Sequence, residues 1–303
     1  RAPTAGLVSG YVWSHLRAQF DQPGHTGGFF RQDQWQNFEK PGYPSRPGIT
    51  NVRDKGDDIR IATYLGEGCK GGDYKIDEVY ALHNWPELPL GHFGVSTGAI
   101  MAAVDEFDII VKGKGGHAAM PHLNIDPIVI ASQIVLSLQT IISRFLNPVD
   151  QALISVTKIH GGSAHNVIDD EVFLNGTVRT FNEKIRNKIE RKINETVKGI
   201  AKANGGEAEV VYTRKYPPTI NSKKESIFAS NVAKELVGEK NVKMDIEPSM
   251  GGEDFSYLLK EKPGSYLYIG QKDADHEAYL HTTKYDFNDD LLPVGVNFWV
   301  NLV

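Results

Sequence analysis

Three side chains on separate stretches of the chain have the donor types of a hydrolytic metal centre: Glu67 in "LGEGCKGGD", His83 in "EVYALHNW" and His281 in "AYLHTTKYDFND". Imidazole nitrogen and carboxylate oxygen suit borderline cations, and a set of this size leaves a coordination position open for water. His83 stands at the end of an apolar run that reads as a buried strand, and the crevice beyond strand C-termini is where open α/β sheets take ligands. Acidic residues follow His281 and can fix its tautomer from behind. Taken singly, each has an ordinary structural reading, Glu67 as a solvated loop acid and the histidines as structural residues.

A second pair, His117 and His122, lies in "GKGGHAAMPH". The helical zinc motif sets two histidines four apart with an acid between them; here the spacing is five, no acid intervenes and Pro121 does. A metal pair on this stretch is therefore not expected. His117, among glycines after a strand, is suited to donating a hydrogen bond to a substrate oxygen, and His122 reads as a surface residue at a helix entry. "GVSTG" matches the Gly-x-Ser-x-Gly elbow and makes Ser96 a nucleophile candidate, but that elbow needs an apolar strand before it and a helix after it. Pro89 and Gly91 precede Ser96, and a strand follows. "GKGG" and "GGSAHN" lack the Gly-Lys-Ser/Thr ending of a phosphate loop.

The elements that must carry these residues are most legible between about 105 and 215. Phe107, Ile109 and Val111 alternate as in a strand; a helix capped by Asp126, with Pro127 in its first turn, buries Ile130, Ile134, Leu138 and Ile141. "ALISVTKI" and "EVFLNGTVRTF" read as two strands, and a second helix runs from Asn182 with Ile185, Ile189, Ile193, Val197 and Ile200 on one face, stopped by "NGG". "EAEVVYTRK" adds a last strand. Strand, helix, strand, strand, helix, strand is the order of a split βαβ, ferredoxin-like unit whose edge strand is free to pair with a second copy. After "YPPT" follow a helix at about 224–237, a strand ending at Met244 to Glu247, a capped helix in "GGEDFSYLLKEKPG", the strand "SYLYIG" and a closing helix near "LLPVGVNFWVNL". The expected architecture is α/β, with one domain made of 1–104 plus 216–303 and a second, inserted domain at 105–215 whose edge strand suits dimerisation.

Composition bounds the partners. The 303 residues are 40% hydrophobic and 23% charged with a net charge of −5, ordinary for a globular protein of two domains. No basic block collects phosphates, so neither nucleic acid nor an anionic membrane is an expected partner. "IVIASQIVLSLQTII" is interrupted by Ser and Gln at helical period and reads as a packed helix, not a membrane span. The single Cys69 cannot form an internal disulfide, and no signal peptide opens the chain, which suits the cytoplasm.

Several segments together resemble one family: "ALHNWPELPLG", "MAAVDEFDIIVKGKGGHAAMPH", "DPIVIASQIV", "NVIDDEVFLNGTVRTF", "YPPT", "MGGEDFSYLL" and "HTTKYDFNDDLLPVG". They are similar to the M20-type metallopeptidases and amidohydrolases, in the branch of N-acyl-amino-acid amidohydrolases that includes hippurate and auxin-conjugate hydrolases. The match runs from about residue 76 to the C-terminus. The resemblance implies a zinc-peptidase-like α/β domain with an inserted ferredoxin-like lid that mediates homodimers. It implies that His83, His281 and Glu67 bind one or two ions of Zn or Mn, and that His117 reaches a substrate carbonyl, often across the dimer. It further implies that Asn166 and Arg179 bind substrate, Arg179 being suited to a carboxylate by its fork of donors.

The first quarter departs from that pattern. Where the family carries paired glutamates whose first member is the general base, the corresponding position is Gly66. The ligand segment Cys-Gly-His-Asp has its best counterpart in "PGHT", which keeps His25 as a ligand but has Pro23 and Thr26 in place of Cys and Asp. The upstream Asp-x-Asp-Ala-Leu-Pro segment has no counterpart. The expectation is a sequence incomplete or wrongly assigned in its first quarter, since a sheet short of several strands could not bury the core implied by the rest. The function expected is metal-dependent hydrolysis of the amide bond of N-acyl amino acids or related small conjugates. The alternatives are a catalytically decayed binding protein of the same fold and, more remotely, a serine hydrolase using Ser96.

Overall fold

The computed structural model describes residues 77–303 in full, together with the backbone of the short strands β1 (Leu7–Val8), β2 (Asn51–Asp54) and β3 (Asp57–Ala62). Glu67, Gly66, Cys69, His25, Pro23 and Thr26 lie outside the described residues.

One sheet is built on β4 (Val79–Pro89), β5 (Phe93–Val95), β14 (Val242–Met244) and β15 (Gly264–Lys272), in the order β1-β4-β15-β5-β14. β15 runs parallel to β4, pairing Tyr266 with Ala81 and Tyr268 with His83, and antiparallel to β5. The first eight residues of β15, "GSYLYIGQ", are buried on both faces, so this strand reads as a continuous apolar run without alternation. One face packs Leu82, Phe93, Leu267 and Ile269 against helices α3 (Lys223–Val237) and α5 (Leu291–Leu302) through Ala229, Val232, Ala233 and Phe298. The other packs Ala81, Trp85, Tyr266 and Tyr268 against Phe255 of the short helix α4 (Phe255–Glu261).

The second sheet holds β7 (Ala103–Lys112), β9 (Ala152–His160), β11 (Glu171–Thr180) and β12 (Glu207–Tyr216), all antiparallel to their neighbours in the order β12-β7-β11-β9. Helices α1 (Pro127–Thr140) and α2 (Glu183–Ala203) cover one face. As the spacing predicts, the Asp126 carboxylate caps α1 by accepting the Ile128 and Val129 N–H groups, and Ile130, Ile134, Leu138 and Ile141 are buried. The helix runs on through a π-turn at Ile141–Phe145, and on its outer side Ile128, Val129 and Leu136 are exposed. Among the described residues, Pro127–Phe145 is the one helix long and apolar enough to cross a membrane, while its inner stripe is packed on the sheet. Asn182 caps α2 as expected, but the buried stripe is Arg186, Ile189, Ile193, Val197 and Ala201, with Ile185 and Ile200 at its margins.

The two sheets meet where β6 (Gly98–Met101), paired with β13 (Thr219–Asn221), gives way to β7. There the Ala102 N–H lies 3.1 Å from the Ser249 carbonyl and 2.9 Å from that of Gly251, which pins the "MGGED" loop onto the crossover. Gly252 is required here, because a Cβ would come within 2.0 Å of Val104 Cγ2.

Candidate functional site

His83 lies within β4, not at its end: the strand continues to Pro89. Pro86 cannot donate to the ladder, and it is accommodated by an irregularity that sets Trp85 opposite Gly270 and Pro89 opposite Lys272. Gly270 permits the close approach, since a Cβ there would sit 2.0 Å from the Pro89 carbonyl oxygen. The Nδ1 atom of His83 is 2.7 Å from the backbone carbonyl of Asn84. A carbonyl only accepts, so Nδ1 carries the proton and the ring is the tautomer in which Nε2 is the basic nitrogen, the form a ligating histidine takes. In this respect His83 fits a divalent metal.

His281 is exposed on the loop between β15 and α5, with a left-handed backbone at φ 62°. The preceding residues bring the loop to β4: Leu280 packs on the Trp85, Tyr266 and Tyr268 cluster, and the Tyr279 ring stands edge-on to Trp85 at 6.3 Å. The structure thus places the His281 loop along the strand that carries His83. Among the described residues no group of three or more His, Cys, Asp and Glu side chains is gathered as a metal cage. The other two expected ligands, Glu67 and His25, lie outside those residues.

A residue that the sequence reading passed over belongs to this cluster. Glu253, 6% exposed, accepts the Tyr266 hydroxyl on Oε2 at 2.7 Å and the Phe255 N–H on Oε1 at 3.3 Å. The Tyr266 ring is 6.2 Å from that of His83. Burial, reinforced by the neighbouring Asp254, pushes the Glu253 carboxyl up to about 8, so it retains its proton near neutrality. A buried acid poised in this range is suited to proton transfer. The local signal was available: "GGED" is a carboxylate in a tight Gly loop just ahead of a buried aromatic-rich helix.

His117 sits elsewhere. It forms β8 (Gly116–His117), which pairs with β10 (Val167–Ile168) so that His117 faces Val167. The Ala118 N–H donates to the Asn166 carbonyl at 3.0 Å, so His117 and Asn166 are neighbours, both exposed. The glycines before His117 are needed for the fit: a Cβ on Gly113 would meet the Ile125 carbonyl at 2.2 Å, and one on Gly116 the Asn124 side chain at 2.3 Å. Asn124 Nδ2 in turn donates to the His117 carbonyl at 3.1 Å. An open cleft beside the pair is lined by Gly115, Gly116 and residues 167–171. His122 lies in an exposed 3-10 turn, Pro121–Leu123, with His122 itself as its basic residue.

Arg179 is not brought to that cleft. It stands on β11 opposite Val104 of β7, at the crossover between the sheets, whereas the cleft lies beyond the Glu171–Lys112 end of the same strands. Eight residues of extended chain separate those ends, about 27 Å. The Arg179 side chain is half-buried; Nη1 donates to the Val178 carbonyl at 3.1 Å and also contacts the Thr177 hydroxyl. Burial lowers its guanidinium pKa, against the pull of Asp105 and Glu106, but arginine stays charged.

Ser96 is no nucleophile elbow. It lies between two strands, β5 and β6, is 6% exposed, and its hydroxyl donates to the Ile246 carbonyl at 2.7 Å. No helix follows it, and the proton a catalytic base would take is committed to main chain.

The sequence pattern of the peptidase family M20/M25/M40 matches residues 54–303. N-acetyl-L-cysteine deacetylase of Bacillus subtilis is 42% identical over 202 residues, 67% of this chain and 48% of that protein. Hippurate hydrolase of Campylobacter jejuni is 36% identical over 229 residues, 76% of this chain and 59% of its own. Among solved structures, the YXEP protein of Bacillus subtilis, a dinuclear metal-binding peptidase of the M20 family, superposes with a TM-score of 0.62 at 30% identity, covering 75% of this chain and 56% of that one. The chain spans about half the length of the curated relatives it matches. A family pattern covering most of the chain and relatives above 30% identity agree with the fold described: the chain belongs to the peptidase family M20/M25/M40, in its amidohydrolase branch.

Proposed function

We propose that the protein is a metal-dependent amidohydrolase that cleaves the amide bond of N-acyl amino acids or related small conjugates, and that it works as a homodimer with a site shared between two copies. The observation that carries the second part is the separation just described. The donor side chains His117 and Asn166 lie at one end of the second sheet, and Arg179, with the junction to the first sheet, lies at the other. A rigid sheet does not fold its two ends together over about 27 Å, but a second copy turned about a two-fold axis can present its far end to the first copy's junction. The region 105–215 would serve as lid and dimerisation domain, through β9, an edge strand among the described residues, and the exposed apolar side of α1 formed by Ile128, Val129 and Leu136.

In this reading His83, His281, Glu67 and His25 hold one or two divalent ions, Zn or Mn. When bound, the metal supplies Lewis acidity toward the scissile carbonyl and a lowered pKa for water. His117 donates a hydrogen bond to the carbonyl oxygen as negative charge develops on it. Arg179 holds the carboxylate of the amino-acid part with its fork of donors, and Asn166 contacts the substrate beside His117. Closure of the lid excludes water from these contacts. The deacetylase and hippurate hydrolase relatives support the substrate class, and the lone Cys69 supports a cytoplasmic site of action.

The test is hydrolysis of hippurate and N-acetyl amino acids, with metal content measured in parallel, before and after chelation. Chelator-sensitive turnover restored by Zn²⁺ or Mn²⁺ is expected. A folded protein that holds no metal and shows no such turnover would leave the decayed binding protein as the better reading.

A further inference from the structure

A closed ring of hydrogen bonds joins the strand of His83 to the loop of His281. Both amide protons of Asn84 are used, one donated to Gln271 Oε1 at 2.7 Å and the other to the Tyr285 hydroxyl at 2.5 Å. The Tyr285 hydroxyl donates onward to the same Gln271 oxygen at 3.0 Å. Gln271 Nε2 donates to the Asp286 carbonyl at 3.1 Å, and Asn288 Nδ2 to the Gln271 carbonyl at 3.0 Å. Asn84, Gln271 and Asn288 are 5%, 0% and 2% exposed, so these polar groups are out of water and are met by one another, by the Asp286 carbonyl and by Asp273, to which Asn288 Nδ2 donates at 2.6 Å.

The placement is what suggests a role. Asn84 follows His83 and does two jobs: its carbonyl accepts the His83 Nδ1 proton, and its side chain grips the loop. Tyr285 and Asp286 follow His281 on that loop by four and five residues. His281 itself has a left-handed backbone, which few residues with a Cβ adopt. A core that needed only packing at this point could use apolar side chains; a buried, hydrogen-bonded ring fixes one geometry.

We propose that Asn84, Gln271 and Tyr285 form a positioning unit that holds the His281 loop at a fixed distance from the His83 strand, so that the two imidazoles keep the spacing a divalent cation requires. The inference rests on the reading of His83 and His281 as ligands. Tyr285→Phe removes one hydroxyl and leaves the ring's shape; Gln271→Met replaces the hub with an apolar chain of similar length. His276→Ala serves as control, since its hydrogen bonds run to Asp273 on the same loop and not to Asn84, Gln271 or Tyr285.

The experiment uses the whole metal-stripped chain, titrated with Zn²⁺ in competition with a chromogenic chelator and with Co²⁺ followed by its visible absorption. Thermal unfolding of the metal-free forms is run alongside. Tyr285→Phe and Gln271→Met are expected to bind Zn²⁺ about ten- to a hundredfold more weakly, with an altered Co²⁺ band, while His276→Ala matches the wild type. Variants that lose metal-free stability yet bind Zn²⁺ as tightly as the wild type would show a merely structural ring and overturn the inference. A wild-type chain that binds neither ion would overturn the ligand reading and the inference together.

Discussion

The hydroxyl of Tyr266 donates to Oε2 of Glu253 across 2.7 Å inside the core, one ring away from His83. The bond helps the carboxylate, but burial and the nearby Asp254 outweigh it and raise the Glu253 pKa from 4.5 to about 8. The unfolded chain releases this proton at the lower value and the folded protein keeps it to the higher one. Between them the folded state binds more protons, so stability contributed by this group is full below about 4.5 and is lost as pH rises toward 8.

The metal-free protein should therefore unfold at lower denaturant concentration at about pH 8.5 than at about pH 5.5, and Glu253→Gln should flatten that slope. Paired urea titrations of wild type and variant at the two pH values check it. Equal slopes in both would mean that Glu253 titrates normally.

Arg186 interrupts the apolar face of α2, yet it is 3% exposed, and its Nε and Nη2 donate to Asp105, itself 1% exposed, with one bond at 2.5 Å. Tyr212 donates to the same carboxylate at 2.7 Å. Arg186→Met should cost about 3–5 kcal/mol by stranding a buried charge, and adding Asp105→Leu should recover part of it. Denaturant unfolding of the single and double variants measures both. A single-variant loss below about 1 kcal/mol, the scale of an exposed pair, would contradict the account.

Periodicity made α1 legible down to its cap and stripe, because Asp126, Pro127 and four inward isoleucines and leucines act within one helix. It placed the middle of the α2 stripe at Ile189, Ile193 and Val197 but each end one position early, and at the first end the reason is that Asp105, toward which Arg186 points inward, is 81 residues distant. The short strands β5 and β6 were missed for a similar reason: Pro89, Gly91 and the "GVSTG" turn look like loop, and only pairing with β14, β15 and β13 makes them sheet. The extension of β4 past His83 depends on an irregularity opposite Gly270 that no local pattern announces. Among candidate site residues, His83 was visible from its strand and His117 from its glycines, while Glu253 matters through the burial that tertiary packing imposes.

Ser96→Ala should leave amide hydrolysis unchanged. The lost hydroxyl bond to the Ile246 carbonyl should cost about 1 kcal/mol of stability. Turnover of hippurate and a melting curve suffice. Abolished turnover in a folded variant would reinstate a serine mechanism.

His117→Ala should lower turnover by about two to three orders of magnitude, as for loss of an oxyanion donor, with bound metal unchanged. Elemental analysis of the purified variant separates the two effects. Loss of metal would place His117 among the ligands instead.

The shared site is tested most directly by mixing two inactive variants, His117→Ala and Arg179→Ala, under conditions that exchange subunits. If each site takes His117 from one copy and Arg179 from the other, every mixed dimer regains one intact site, and an equal mixture should recover about a quarter of wild-type turnover. A mixture that exchanges subunits and stays as inactive as its parents would show that both residues act within one chain, or that one of them does not act at all, and would contradict the account.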